Sequence, residues 1–171
     1  MKLHANPLPA VLIATFTSGF AFGVVLPITS VALEKMHVST PVIGLTATAL
    51  FAGLALGSPL AGRLIELYGV RRTLSAGILI TGLAMIAHGL KVSLPLWFVL
   101  RGVIGIACAS IFTSCETLIN RISTNKNRGR NLGLYGFAFS LSLMIGPFGL
   151  WLLKFGIRVP FTVAGLSLIH I

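Results

Sequence analysis

The chain has no aspartate and only three glutamates, Glu34, Glu66 and Glu116, in 171 residues. Without aspartate, a serine–histidine–aspartate triad cannot be assembled. Charged side chains make up 9% of the sequence, where an ordinary soluble domain carries about a quarter. So few charges cannot cover a water-facing surface, which excludes an ordinary soluble enzyme. No GxxxxGK[ST] phosphate loop, CxxC pair or HExxH helix occurs, so neither nucleotide hydrolysis nor a metal centre has a signature here. The two cysteines, Cys108 and Cys115, lie seven residues apart. On one helix their Cα atoms would be about 10 Å apart, beyond disulfide reach. They read as small buried hydrophobes.

What the chain does have is apolar length. Hydrophobic residues make up 56% of it, and mean hydropathy is +0.98. Charge-free or nearly charge-free runs cover about 9–33, 41–67, 73–90, 94–119 and 132–153, with a sixth starting at about 159. A membrane-crossing helix needs about 20 apolar residues, so six spans use roughly 120 and leave about 50 for connections. The runs are continuous rather than alternating, which disfavours a barrel of strands. The expectation is an all-α polytopic membrane protein of six spans, its last helix incomplete. That last run offers only about 12 residues before Ile171, too few to cross a bilayer untilted. Gly19 and Gly23, and likewise Gly53, Gly57 and Ala61, recur at four-residue spacing. Such small-residue faces let helices approach closely.

Lysine and arginine number thirteen. With the amino terminus on the cytoplasmic side, the inner segments hold Lys2, Arg63, Arg71, Arg72, Arg121, Lys126, Arg128 and Arg130, eight against the four outside, Lys35, Lys91, Lys154 and Arg158. The positive-inside rule therefore places the amino terminus in the cytoplasm. The basic segment 119–131 reads as topology and contact with anionic lipid. No aromatic platform accompanies it that would suit nucleic acid.

Arg101 stands inside the fourth run, about seven residues from its start. A buried arginine costs about 2.5–3.5 kcal/mol on insertion scales, so it is expected to face the bundle interior or a wet cavity. The competing reading is snorkelling to a surface about 10 Å away. Glu116 lies about 22 Å further along the same helix, as a proton carrier, or else as a structural ion pair or a solvated acid at the interface. Glu66 closes the second run and reads as a local salt bridge or helix-end cap. His88, alone in the third run, suits a polar interhelical contact better than a proton relay or metal site.

Several motifs resemble those of the major facilitator superfamily. Gly62-Arg-Leu-Ile-Glu66-Leu-Tyr-Gly69-Val-Arg71-Arg72 is similar to the loop signature G-x-x-x-D-[RK]-x-G-[RK]-[RK] after that family's second span. Gly62, Glu66 (for Asp), Gly69 and Arg71 match it, Leu67 and Val70 replace basic residues, and Arg72 lies one position beyond. Arg101-x-x-x-Gly105 resembles the fourth-span motif. Gly133 and Gly146-Pro147 resemble part of the antiporter-type fifth-span motif, with Ser142 in place of one glycine and Leu150-Trp151 in place of the trailing pair. Phe155-Gly156-Ile157-Arg158-Val159-Pro160-Phe161 is similar to FGWRxxF at the start of the sixth span. Within the family, the stretch from Gly105 through Glu116 to Arg130 is similar to bacterial YcaD-like transporters.

The resemblance implies the amino-terminal six-helix half of a twelve-helix secondary transporter in the bacterial inner membrane, its other half lying further along the same chain. Its partners would be small-molecule substrates, protons or another coupling ion, and membrane lipid, with no cofactor. It assigns substrate or proton coupling to Arg101. Gly62, Glu66, Gly69, Arg71, Arg72 and Glu116 would form a cytoplasmic gate, with Glu66, Arg71 and Glu116 joined in an ion-pair cluster. The antiporter-like element leans toward proton-coupled efflux. The rival reading is a complete six-span protein acting as a homo-oligomeric channel or non-transport membrane component.

Overall fold

The structure is a computed structural model that describes residues 8–170. Lys2, used in the charge count, and Ile171, the end of the sixth run, lie outside the described residues. Among the described residues are α1 (Leu8–Lys35), α2 (Thr40–Tyr68), α3 (Val70–Leu90), α4 (Leu94–Ile122), α5 (Arg128–Ile145) and α6 (Arg158–Ile169). Five spans, counting Arg128–Phe155 as one, are long and apolar enough to cross a membrane, and α6 is a shorter apolar helix. The chain is therefore an all-α, membrane-embedded bundle.

Residue chemistry accounts for the element ends. Pro41 and Pro95 sit in the first turns of α2 and α4, where a missing N–H costs nothing. Many hydroxyls inside the spans satisfy themselves on the preceding turn, while Ser18 and Ser114 are buried without a partner. Thr15 Oγ1 donates to the Val11 carbonyl at 2.8 Å, and Thr29 Oγ1 to Val25 at 2.7 Å. That is the economical solution where no water is at hand.

Two boundaries differ from the sequence expectation. Gly69 alone separates α2 from α3, so Arg71 and Arg72 belong to the first turn of α3 instead of a four-residue turn. The fifth run is not one α-helix either. After Ile145 it tightens into a 3₁₀ segment, Gly146–Phe155, because Pro147 has no N–H to continue the i→i−4 ladder.

The helices pack in a pattern that repeats under exchange of the first three with the last three. α1 lies on α5 as α4 lies on α2, and α1 meets α6 as α4 meets α3. α1–α4 and α3–α6 map onto themselves. Glycines mark the seams. A Cβ added at Gly23 would lie 3.3 Å from the Leu143 Cα of α5 and 3.1 Å from the Gly146 Cα just beyond it, so α1 meets α5 and the 3₁₀ segment main chain to main chain. A Cβ at Gly53 would run into the Gly102 carbonyl oxygen, which gives α2–α4 the same intimacy. At the self-paired seam, a Cβ at Gly82 would fall 2.9 Å from the Gly165 carbonyl oxygen, and one at Gly165 2.7 Å from that of Gly82. Interleaved three-helix units of this kind are a recurrent plan of secondary transporters.

The main core lies where α1, α3, α4 and α6 converge, around Val25, Ile28, Met85, Trp97, Ile104 and Phe161. A smaller cluster of Val11, Ala14, Ile111, Cys115 and Ile119 closes the opposite end of α1 and α4.

Candidate functional site

Arg101 is fully enclosed, with 0% of its surface exposed. It faces the bundle interior and does not snorkel outward. Its Nη2 donates to the Leu26 carbonyl of α1 at 3.3 Å, while Nε and Nη1 have no partner in the protein. The Leu26 carbonyl, just before Pro27 in the continuous α1, also accepts from Ser30 Oγ at 3.1 Å. A guanidinium so placed carries unspent donors in an apolar setting, a costly state. Costly groups of this kind inside membranes are functional candidates.

Close to it lies a second buried polar group. His88 of α3 is 0% exposed, with Nδ1 3.1 Å from the Ala84 carbonyl and Nε2 unpartnered. Its ring stacks on Phe161 of α6 at 5.4 Å and tilts against Trp97 of α4 at 5.6 Å. Trp97 Nε1 donates to the main-chain carbonyls of both His88 and Lys91, each at 3.0 Å, which fastens the end of α3 to the start of α4. The His88 side chain thus keeps its hydrogen bond within α3 and meets α4 and α6 through ring contacts, not through the polar interhelical contact that the sequence suggested. Trp97 had no sequence signal beyond being apolar. It stands four residues before Arg101, on the same face of α4.

The loop signature falls apart into residues with different physical duties. Gly69 has φ 85° and ψ 153°, a region open essentially to glycine alone. Its N–H closes α2 on the Ile65 carbonyl at 3.0 Å, and its carbonyl opens α3 by accepting from Thr73 N at 3.2 Å. Gly62, by contrast, has nothing within 4 Å of an added Cβ. Glu66, Arg71 and Arg72 are exposed at this end of the bundle. Gly69→Ala should therefore cost about 1–3 kcal/mol. Gly62→Ala, on an open helical position, should stay within about 0.5 kcal/mol of wild type. Thermal unfolding of both variants in the same detergent checks this; equal midpoints would contradict it.

Glu116 is exposed on α4 and lies beside the Tyr135 side chain of α5. Among the described residues no ion pair joins Glu116 or Glu66 to Arg71, so the expected three-residue cluster is not formed in this conformation. The physical reason lies in the packing: the α4 face that carries Glu116 turns to α5, while Arg71 sits in α3's first turn, outside the bundle.

The other motif glycines also separate. Gly105 is locked against α2, where an added Cβ would strike the Leu50 carbonyl oxygen. Gly146 is locked against α1, where it would lie 2.6 Å from the Gly23 Cα. Gly133 has open space around it, and Pro147 is exposed in the 3₁₀ segment. Asn131, which sequence reasoning passed over, is buried at the start of α5 and donates from Nδ2 to Ser123 Oγ at 2.9 Å. It ties α5 back to the end of α4.

Apolar helices in interleaved three-helix units, with a guanidinium sealed between α1 and α4, define a polytopic membrane bundle of the transporter type. The chain belongs to the Major Facilitator Superfamily, whose family model matches residues 11–170. Among curated relatives, the uncharacterised MFS-type transporter YfkF of Bacillus subtilis is 35% identical over 148 residues, 86% of this chain and 38% of the relative. Multidrug resistance protein 2 of the same organism is 28% identical over 150 residues, 87% of this chain and 38% of its own length. The uncharacterised MFS-type transporter YcaD of Escherichia fergusonii is 25% identical over 146 residues, 85% of this chain and 38% of its own. The chain thus spans well under half the length of these relatives.

Proposed function

We propose that these six helices are the amino-terminal half of a secondary active transporter that exports small solutes by alternating access, driven by protons. They would pack against a second six-helix unit of the same polypeptide, in the bacterial inner membrane with the amino terminus in the cytoplasm. Substrate would be held between the halves near the midplane, and rocking of the halves would expose it to each side in turn. Arg101 is the coupling residue in this reading. Gly62, Glu66, Gly69, Arg71 and Arg72 form the gate at the cytoplasmic end, with the single-residue Gly69 turn passing motion from α2 to α3.

The observation that carries the proposal is Arg101 itself: a buried cation with two unpartnered nitrogens, placed where the two three-helix units meet. A purely structural residue at that position would be apolar, because apolar packing there avoids the desolvation cost. Two of the relatives are named as multidrug resistance proteins, which supports the assignment of small-solute export. Gradient-driven uptake into everted membrane vesicles tests the proposal, because a transporter concentrates its solute whereas a channel only equilibrates it.

A further inference from the structure

Two enclosed side chains in the bundle carry complementary unused capacity. A carbonyl oxygen only accepts, so the 3.1 Å contact of His88 Nδ1 with the Ala84 carbonyl puts the ring proton on Nδ1. A neutral imidazole then has a bare lone pair on Nε2, and that nitrogen is buried without a partner. Arg101 has the opposite lack. Its guanidinium can only donate, and Nε and Nη1 have no acceptor in the protein. Both residues are 0% exposed, so bulk water serves neither.

The fold sets these two groups in one neighbourhood. Trp97 stands one turn before Arg101 on the same face of α4, about 6 Å along the axis, and the His88 ring lies 5.6 Å from the Trp97 ring. The charge of the guanidinium reaches the His88 ring. Phe161 stacks on that ring at 5.4 Å and also meets Trp97 at 5.7 Å. With Nδ1 tethered to Ala84 and the ring held by two aromatic neighbours, Nε2 is the atom of this imidazole left to take a donor. The Leu26 carbonyl of α1 and His88 Nε2 of α3 both belong to the first three-helix unit, and Arg101 of α4 to the second.

The bond that holds Arg101 is a weak one. At 3.3 Å it lies beyond the usual N–H···O range, and the Leu26 carbonyl is shared with Ser30 Oγ. A guanidinium that leaves this carbonyl inside an apolar bundle needs another acceptor, because desolvated donors are costly. We propose that His88 is a positioning residue for Arg101, its Nε2 receiving the guanidinium when the Leu26 bond opens during the transport cycle. The role rests on the coupling assignment of Arg101 made above. A carboxylate in place of His88 would grip the cation through a charge-assisted bond about twice as strong and arrest it, and a phenyl ring would offer no acceptor. A neutral imidazole lets the guanidinium arrive and leave.

His88→Phe and His88→Gln in the full-length protein test this. Phenylalanine keeps a ring packed on Trp97 and Phe161 but has no acceptor, whereas glutamine carries an amide oxygen to about the place of Nε2. His88→Phe should slow transport about tenfold, with a thermal midpoint equal to wild type or higher. His88→Gln should keep about half the wild-type rate or more. A role confined to packing gives the reverse order, because glutamine disturbs the aromatic stack and phenylalanine does not. A second readout needs no transport. The nitrogen NMR resonance of His88 Nε2, identified by its loss in His88→Gln, should move in Arg101→Met and stay in place in Lys91→Gln, which removes a neighbouring exposed charge. His88→Phe transporting as fast as wild type, His88→Gln as slow as His88→Phe, or an Nε2 resonance indifferent to Arg101→Met overturns the proposal. If either His88 variant does not elute from gel filtration as wild type does, the resonance in Arg101→Met carries the test. Full transport by Arg101→Met with a shifted Nε2 resonance would overturn the coupling assignment and still support the His88–Arg101 contact, so the two failures are distinguishable.

Discussion

Gly105→Leu should abolish recovery of folded protein, and Gly105→Ala should lower its stability by about 1–3 kcal/mol. The added Cβ would meet the Leu50 carbonyl oxygen and lie 2.8 Å from the Leu54 amide nitrogen. Both are main-chain atoms of α2, which cannot swing aside as a side chain would, so the helices themselves must separate. The strain then spreads along the seam, because Gly57 is equally tight, an added Cβ there lying 2.8 Å from the Ile106 Cα. In a membrane no hydrophobic force pulls helices together, and close packing carries the association. Opening this seam removes much of what holds α2 in place. Gly62→Ala on α2, with open space around it, is the control. Thermal midpoints in detergent read the difference, and a Gly105→Leu protein as stable as wild type would contradict the packing described.

Arg101→Met should abolish transport, by about 100-fold or more, and yet leave the thermal midpoint unchanged or raised. The two effects part company because the residue is costly where it stands. It is 0% exposed, makes one hydrogen bond to Leu26 and leaves two nitrogens unpartnered. Methionine fills similar space without a charge to desolvate, and such replacements of buried ionic groups are often neutral or stabilising. Arg101→Lys should also fail, since a single ammonium cannot reproduce the guanidinium's fork of donors. A stable Arg101→Met protein with full transport would remove Arg101 from the coupling machinery. A fall in stability that accounts for the lost transport would make its role structural.

The spans were legible because apolar runs bounded by charges state their own lengths, and the observed helices extend the predicted runs by a few residues at most ends. Local chemistry decided the exceptions. Val70-Arg71-Arg72 looks like a polar turn, but one glycine in a glycine-only conformation completes that turn and frees both arginines to start α3. Pro147 was read as part of a motif, and its missing N–H also changes the helix type after Ile145. Arg101 announced itself as a charge where none belongs, yet its partner is a main-chain carbonyl that no residue type encodes. The tight glycines of the seams were visible as spacing, but which helix each one faces was not. Gly105 and Gly133 look alike in a motif, and only the fold shows that one is locked and the other free. Glu116 was assigned to an ion-pair cluster by analogy, whereas packing sets it beside Tyr135.

The measurement that bears most directly on the account is solute uptake by everted membrane vesicles carrying the full-length protein, with an inward-acid pH gradient imposed. The account predicts concentrative uptake of a small solute above the level in vesicles lacking the protein, lost when the proton gradient is collapsed and lost in Arg101→Met. Uptake that only reaches equilibrium and ignores the gradient would contradict it, and would favour a channel.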